Sequence, residues 1–112
     1  SSMKRLKKHG ATVIKIHGSP LSRKGEPDLI GCHDGHAFAL EAKKSDDDHP
    51  SLAQVYKLLE WKRAGARVGL VRNADDAEAI VLRGEPIGHS ELLRIQNEAL
   101  EASGASPKLC FE

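Results

Sequence analysis

Short apolar runs separated by polar turns predict that strands come first along this chain and that helices and one further strand follow. A helical segment ends at Gly10, and the alternation of Ala11 to His17 predicts a strand. Leu29 to Gly31 predicts a second strand, Asp34-Gly35 a tight turn, and Ala37 to Lys43 the returning strand of an antiparallel hairpin. The three strands are expected to share one sheet.

In the second half of the chain, apolar residues at helical spacing precede and follow a fourth predicted strand. The predicted elements are a helix starting near Pro50 with the stripe Leu52, Val55, Tyr56, Leu59 and Ala64, a strand from Arg67 to Arg72, a helix from Asp75 to Leu82 capped by Asn73, and a last helix from Ser90 to near Gly104. This order predicts an α/β sandwich with a mixed central sheet. The last helix is longer than the core requires, which suggests packing against a second subunit as a homodimer.

Composition predicts one globular domain over residues 1–112. The chain is 39% hydrophobic and 29% charged, and no apolar run approaches the roughly 20 residues of a membrane span. Cys32 and Cys110 stand apart, and Cys32 falls on a strand that is predicted to be buried. Reduced thiols in a cytoplasmic compartment are therefore expected.

Charge is unevenly distributed along the chain although its net value is only +1. Residues 1–25 hold seven Lys or Arg and no acid, whereas residues 26–48 hold seven Asp or Glu and two Lys. The loop from Gly18 to Glu26 places Ser19, Arg23 and Lys24 shortly before Asp28, which makes them candidate phosphate contacts. Basic segments around an acidic centre suit a metal-holding cleft whose walls attract phosphate.

Two carboxylates and a lysine are expected to meet at the open end of the hairpin. Asp28 precedes the first strand, and Glu41 and Lys43 project from one side of the second because side chains alternate along a strand. Two like charges raise a carboxylate pKa unless a cation lies between them, and Mg²⁺ is commonly held by one or two carboxylates. The alternative is a purely structural hairpin, with Asp28 in a turn and Glu41 and Lys43 as a solvated pair.

Histidines suggest a zinc site as another alternative. Cys32, His33 and His36 lie in or beside the turn, and His17 or His49 could approach them. However, Cys32 and His33 are adjacent in a strand and face opposite ways, and the chain has no second closely spaced ligand pair. Histidines on a solvated turn explain the same pattern.

These residues resemble the PD-(D/E)xK nuclease superfamily, and within it the VRR-Nuc and Holliday-junction-resolvase-like branch. The matching elements are Arg23 to Gly31, Glu41-Ala42-Lys43, Gln54 on the following helix, and the strand from Ala66 to Arg72. Together they span about half of the chain. The resemblance implies a restriction-endonuclease-like three-layer core and an endonuclease that hydrolyses DNA phosphodiester bonds, with branched, flapped or nicked DNA as possible substrates, in the cytoplasm or with the nucleoid.

The resemblance also implies the roles of individual residues. Asp28, Glu41 and the carbonyl of Ala42 would hold Mg²⁺, or Mn²⁺ in its place, and Lys43 would act on the attacking water. Gln54 would position the DNA or the water.

One feature departs from the family pattern. Relatives carry a further acidic residue on a helix before the first strand, whereas residues 1–25 contain none. Ser1-Ser2-Met3 has the character of a cloning remnant, so truncation of that helix is one expectation and a missing ligand is the other. The second expectation keeps open a nucleic-acid-binding or assembly domain that retains the fold without cutting.

Overall fold

A four-stranded sheet forms the centre of the structure, a computed structural model that describes residues 1–16, 18–20 and 23–104. The elements are α1 (Ser2–Lys8), β1 (Thr12–Lys15), β2 (Leu29–His33), β3 (His36–Ala42), α2 (Leu52–Arg63), β4 (Arg67–Val71), α3 (Ala74–Arg83) and α4 (His89–Ala102). The predicted strand end at His17, part of the predicted basic loop, and Cys110 lie outside the described residues. No helix within the described ranges is long and apolar enough to cross a bilayer.

The strands lie in the order β1-β2-β3-β4, with the first two pairs antiparallel and the last parallel. Asp34 and Gly35 form the turn of the central hairpin with φ of 47° and 79°, and His33 pairs with His36. Positive φ at both turn residues matches the twist of the flanking strands. The predicted hairpin and the mixed sheet are confirmed.

Helices cover both faces of the sheet. Phe38 and Leu40 of β3 face α1 and α3, where they join a core cluster with Leu6 and Ile80. Ala39, between them, faces α2 and α4, because successive side chains of a strand alternate. The result is the predicted three-layer α/β core, and the same alternation directs Glu41 toward the α2 side.

Helix α2 differs from its prediction in where it begins and in which residues it buries. It begins at Leu52 with Ser51 as its N-cap, whose side chain accepts a hydrogen bond from the Gln54 N–H, so Pro50 lies before the helix. Val55, Leu58 and Leu59 form its buried face, whereas three residues of the predicted stripe are exposed: Leu52, Tyr56 and Ala64. The predicted stripe was therefore confirmed at Val55 and Leu59 and wrong at these three residues.

The prediction of a buried Cys32 was also wrong. Cys32 lies on the sheet face that α2 and α4 cover, but near the β1 edge, and its side chain is exposed. Helix α4 begins one residue before the predicted Ser90 and buries Leu92 and Gln96. A second subunit against α4 stays a prediction.

Candidate active site

The hairpin brings Asp28 and Glu41 together at one end of the sheet. Leu29 pairs with Leu40, so the residue before β2 and the residue after Leu40 are neighbours. Asp28 Oδ2 accepts a hydrogen bond of 2.9 Å from the Ala42 N–H, and the Asp28 carbonyl accepts one of 2.7 Å from Ile16. The Asp28 carboxylate is therefore fixed against the backbone of β3.

Glu41 is buried, with only 2% of its surface exposed. Its Oε2 accepts a hydrogen bond of 2.9 Å from Gln54 Nε2 and lies 3.5 Å from Lys43 Nζ. Among the residues that the structure describes, no hydrogen-bond donor reaches Oε1, which is buried as well. Glu41 and Lys43 therefore do not form the solvated pair that the structural alternative predicted.

The surroundings of Glu41 raise its pKa from the ordinary value of 4.5 to about 8. Burial is the largest cause, because it disfavours the charged form, and the negative charge of Asp28 and a hydrogen bond with its carboxylate act in the same direction. Lys43 opposes the shift. A second positive charge near Oε1 would stabilise the ionised form of this carboxylate.

Gln54 connects the helix cap to the site. Its Oε1 accepts hydrogen bonds of 2.8 Å from the Ser51 N–H and 3.2 Å from Lys43 Nζ, while its Nε2 donates to Glu41. Two donors at one oxygen and an acceptor at the nitrogen fix the orientation of the amide. The capping box that starts α2 therefore also orients Lys43, whose side chain is 9% exposed.

An open cavity of about 700 Å³ lies over these groups. Besides the carboxylates and Lys43, its walls include Ser1 to Met3 at the start of α1, Lys15 of β1, and Lys44 and Asp48 after β3. Composition and spacing did not single out Lys15 or Asp48. Lys15 could have been found from the β1–β2 pairing register, in which it faces Leu29.

The donor set fits a hard divalent cation with few protein ligands. Asp28 and Glu41 supply carboxylate oxygens. Among the described residues, Oε1 of Glu41 accepts no hydrogen bond and is therefore available as a metal ligand. Mg²⁺ accepts one or two carboxylates and keeps several waters. Over the described ranges, no group of three or more His, Cys, Asp or Glu is arranged to hold a metal.

Other sequence candidates lie away from the cavity walls. Arg23 and Lys24 are exposed in the loop before β2 and do not line the cavity. Ser19 follows β1, where its N–H donates to the Ile16 carbonyl. Glu26 pairs with Lys57 of α2 at 3.4 Å, so its carboxylate is directed toward α2.

Comparisons with known proteins agree with this arrangement. A family model described as archaeal Holliday junction resolvase (hjc) matches residues 2–105. A solved VRR_NUC domain matches with a TM-score of 0.59 and 24% identity, covering 73% of this chain and 87% of that chain, which shows a shared fold. No match is found among curated proteins. The predicted superfamily branch is confirmed, and the chain belongs to the archaeal Holliday junction resolvase family.

Proposed function

We propose that this protein is a Mg²⁺- or Mn²⁺-dependent endonuclease that hydrolyses phosphodiester bonds in branched DNA, with a four-way junction as its first candidate substrate. The observation that carries the proposal is the buried Oε1 of Glu41, which has no hydrogen-bond donor among the described residues, in a carboxylate that lies beside Asp28 and Lys43. Burying a carboxylate oxygen that accepts no hydrogen bond costs free energy unless a ligand binds that oxygen. Membership of the resolvase family supports the choice of DNA.

The roles of the residues follow from their surroundings. Asp28, Glu41 and the Ala42 carbonyl would hold the cation, which would supply positive charge to offset the charge that develops on the phosphate. Asp28 is held in position by the Ala42 N–H. Glu41 is held by Gln54, which leaves its Oε1 for the cation.

Lys43 would stabilise the charge that develops during hydrolysis. Its ammonium donates to Gln54 and is largely shielded from solvent, so its charge acts through a medium that screens it less than water does. It can donate a further hydrogen bond to the attacking water or to a phosphate oxygen. Because Gln54 and Glu41 hold the ammonium beforehand, little reorganisation is needed at the moment of reaction.

Arg23 and Lys24 are proposed to bind DNA phosphates outside the cavity, and Ser19 to lie along the same path. The Arg23→Gln/Lys24→Gln variant is expected to lower the slope of log K against log salt by roughly 2, because each phosphate contact releases about 0.9 counterion. Preference among sequences should not change. Fluorescence anisotropy at several salt concentrations measures the slope.

The control for that variant is Arg83→Gln/Arg94→Gln, which removes the same charge. Both residues are exposed and already paired, Arg83 with Glu85 and Arg94 with Glu98 at 3.3 Å. The control should keep the wild-type slope. Equal slopes in all three proteins would place Arg23 and Lys24 outside the interface.

The proposed activity is tested by single-turnover cleavage of linear, nicked, flapped and four-way DNA in Mg²⁺, Mn²⁺, Ca²⁺ or EDTA. Cleavage of the four-way substrate in Mg²⁺ and Mn²⁺, slower cleavage of linear DNA, and none in EDTA are expected. Binding to every substrate without cleavage of any would instead support the non-cutting DNA-binding domain.

A further inference from the structure

The segment Lys44–His49 follows β3 and forms one wall of the candidate active site. Asp48 Oδ2 accepts a hydrogen bond of 3.0 Å from the Lys44 N–H, and the Asp48 N–H donates to the Ser45 carbonyl at 3.1 Å. These bonds close the segment into a compact turn. Asp48 Oδ1 then lies 3.9 Å from Lys43 Nζ.

Arg72, just after β4, donates hydrogen bonds to two carbonyls of this turn. Its Nε donates to the Ser45 carbonyl at 2.7 Å and its Nη2 to the Asp48 carbonyl at 2.9 Å. Its side chain is 18% exposed and its Nη1 lies 3.2 Å from Glu91 Oε2. A guanidinium is a rigid plane of donors, so one side chain fixes two carbonyls of the same turn at once.

Glu91 anchors Arg72 to α4. It lies in the first turn of that helix and is 17% exposed, and its other oxygen contacts His49 Nδ1. Glu91 is therefore connected to the turn by two routes, through Arg72 and through His49. This network connects α4 to the candidate active site although α4 contributes no residue to the cavity wall within the described ranges.

We propose that Asp48 is a positioning residue for Lys43, and that Arg72 and Glu91 hold Asp48 where it can act. This inference rests on the proposed nuclease function. Lys43 has a flexible stem, and Glu41 and Gln54 restrain its ammonium from the β3 and α2 side. Asp48 would restrain it from the Lys44–His49 segment, since its Oδ1 lies 3.9 Å from Lys43 Nζ.

A negative charge at the mouth of this cavity has opposite effects on binding and on chemistry. It repels DNA phosphates, so removing it should leave DNA affinity unchanged or slightly higher. It also limits the positions of Lys43, so removing it should slow cleavage, because small misplacement of a catalytic group lowers the rate steeply. A residue that only repels substrate would instead give faster cleavage when neutralised.

Asp48→Asn is therefore expected to lower the single-turnover rate of four-way DNA cleavage in saturating Mg²⁺ by roughly tenfold or more, with no loss of DNA affinity. Asp48→Glu should recover most of the rate. Asp47→Asn is the matched control, since Asp47 is an exposed neighbour that does not line the cavity. It should cut at the wild-type rate.

Arg72→Lys keeps the charge but loses the two-carbonyl geometry, and should slow cleavage as Asp48→Asn does. The Arg72→Lys/Asp48→Asn double variant should be little slower than either single variant, because both act through one contact. Thermal unfolding shows whether each variant is folded. If Arg72→Lys is not, Asp48→Asn and Asp48→Glu decide the outcome.

Asp48→Asn cutting at the wild-type rate or faster would overturn the positioning role and leave the nuclease proposal intact. Loss of DNA affinity equal to the loss of rate would also overturn it. A wild-type protein that binds four-way DNA but does not cut it would overturn the proposed function and this inference together.

Discussion

Lys43→Met is expected to lower the rate of single-turnover DNA cleavage by roughly 10² or more under saturating Mg²⁺. Methionine keeps an unbranched stem in a site where the side chain is 9% exposed, so the fold should be retained. Only the ammonium is lost, and with it the hydrogen bond to Gln54 and the charge that would stabilise the transition state. DNA affinity should change little.

The matched control is Lys44→Met, at the adjacent lysine of the same cavity wall. Lys44 is exposed, and its loss should weaken DNA binding without lowering the rate once the enzyme is saturated. If wild type and Lys43→Met cut within a few-fold of each other, Lys43 has no catalytic role. In that case the assignment of this motif to catalysis is wrong.

Glu41→Gln is expected to change how stability depends on pH in the metal-free protein. The pKa of Glu41 is raised from 4.5 to about 8, so the folded protein holds this proton more tightly than the unfolded chain does. That stabilisation is fully present below pH 4.5 and is lost as pH rises toward 8, an effect of up to roughly 5 kcal/mol. Glutamine has no such proton and should remove this pH dependence.

Urea unfolding in EDTA between pH 5 and pH 8.5 measures this effect. The free energy of unfolding of wild type should fall relative to that of Glu41→Gln as pH rises, and the variant should be the more stable protein at pH 8.5. Glu60→Gln is the control, since Glu60 is an exposed acid on α2 with 69% of its side chain accessible. A constant difference between wild type and Glu41→Gln across this range would exclude the raised pKa.

Local sequence patterns were sufficient to predict the hairpin and the pairing of its carboxylates. The Asp34-Gly35 turn sets the register, and the register places Asp28 beside Glu41. Alternation along β3 then directs Glu41 and Lys43 to one side. Gln54 was placed near them by the family resemblance and by its position off the centre of the predicted apolar stripe of α2.

Contacts between distant parts of the chain could not be predicted in this way. The turn that places Asp48 beside Lys43 is held in part by Arg72, 24 residues later, which donates to the Asp48 carbonyl, and no local pattern encodes that bond. The exposure of Cys32 depends on how far the covering helices extend across the sheet. The start of α2 at Leu52 depends on which residue caps the helix, and the capping box of Ser51 with Gln54 places that cap one residue after Pro50.

The most direct measurement is calorimetric titration of Mn²⁺ into wild type, Asp28→Asn, Glu41→Gln and Lys43→Met. A cation held by Asp28 and Glu41 should bind wild type and Lys43→Met, and each carboxylate substitution should weaken binding sharply because it removes a charged ligand and keeps the side-chain volume. Unchanged Mn²⁺ affinity in both Asp28→Asn and Glu41→Gln would contradict the proposal that these carboxylates form a metal site.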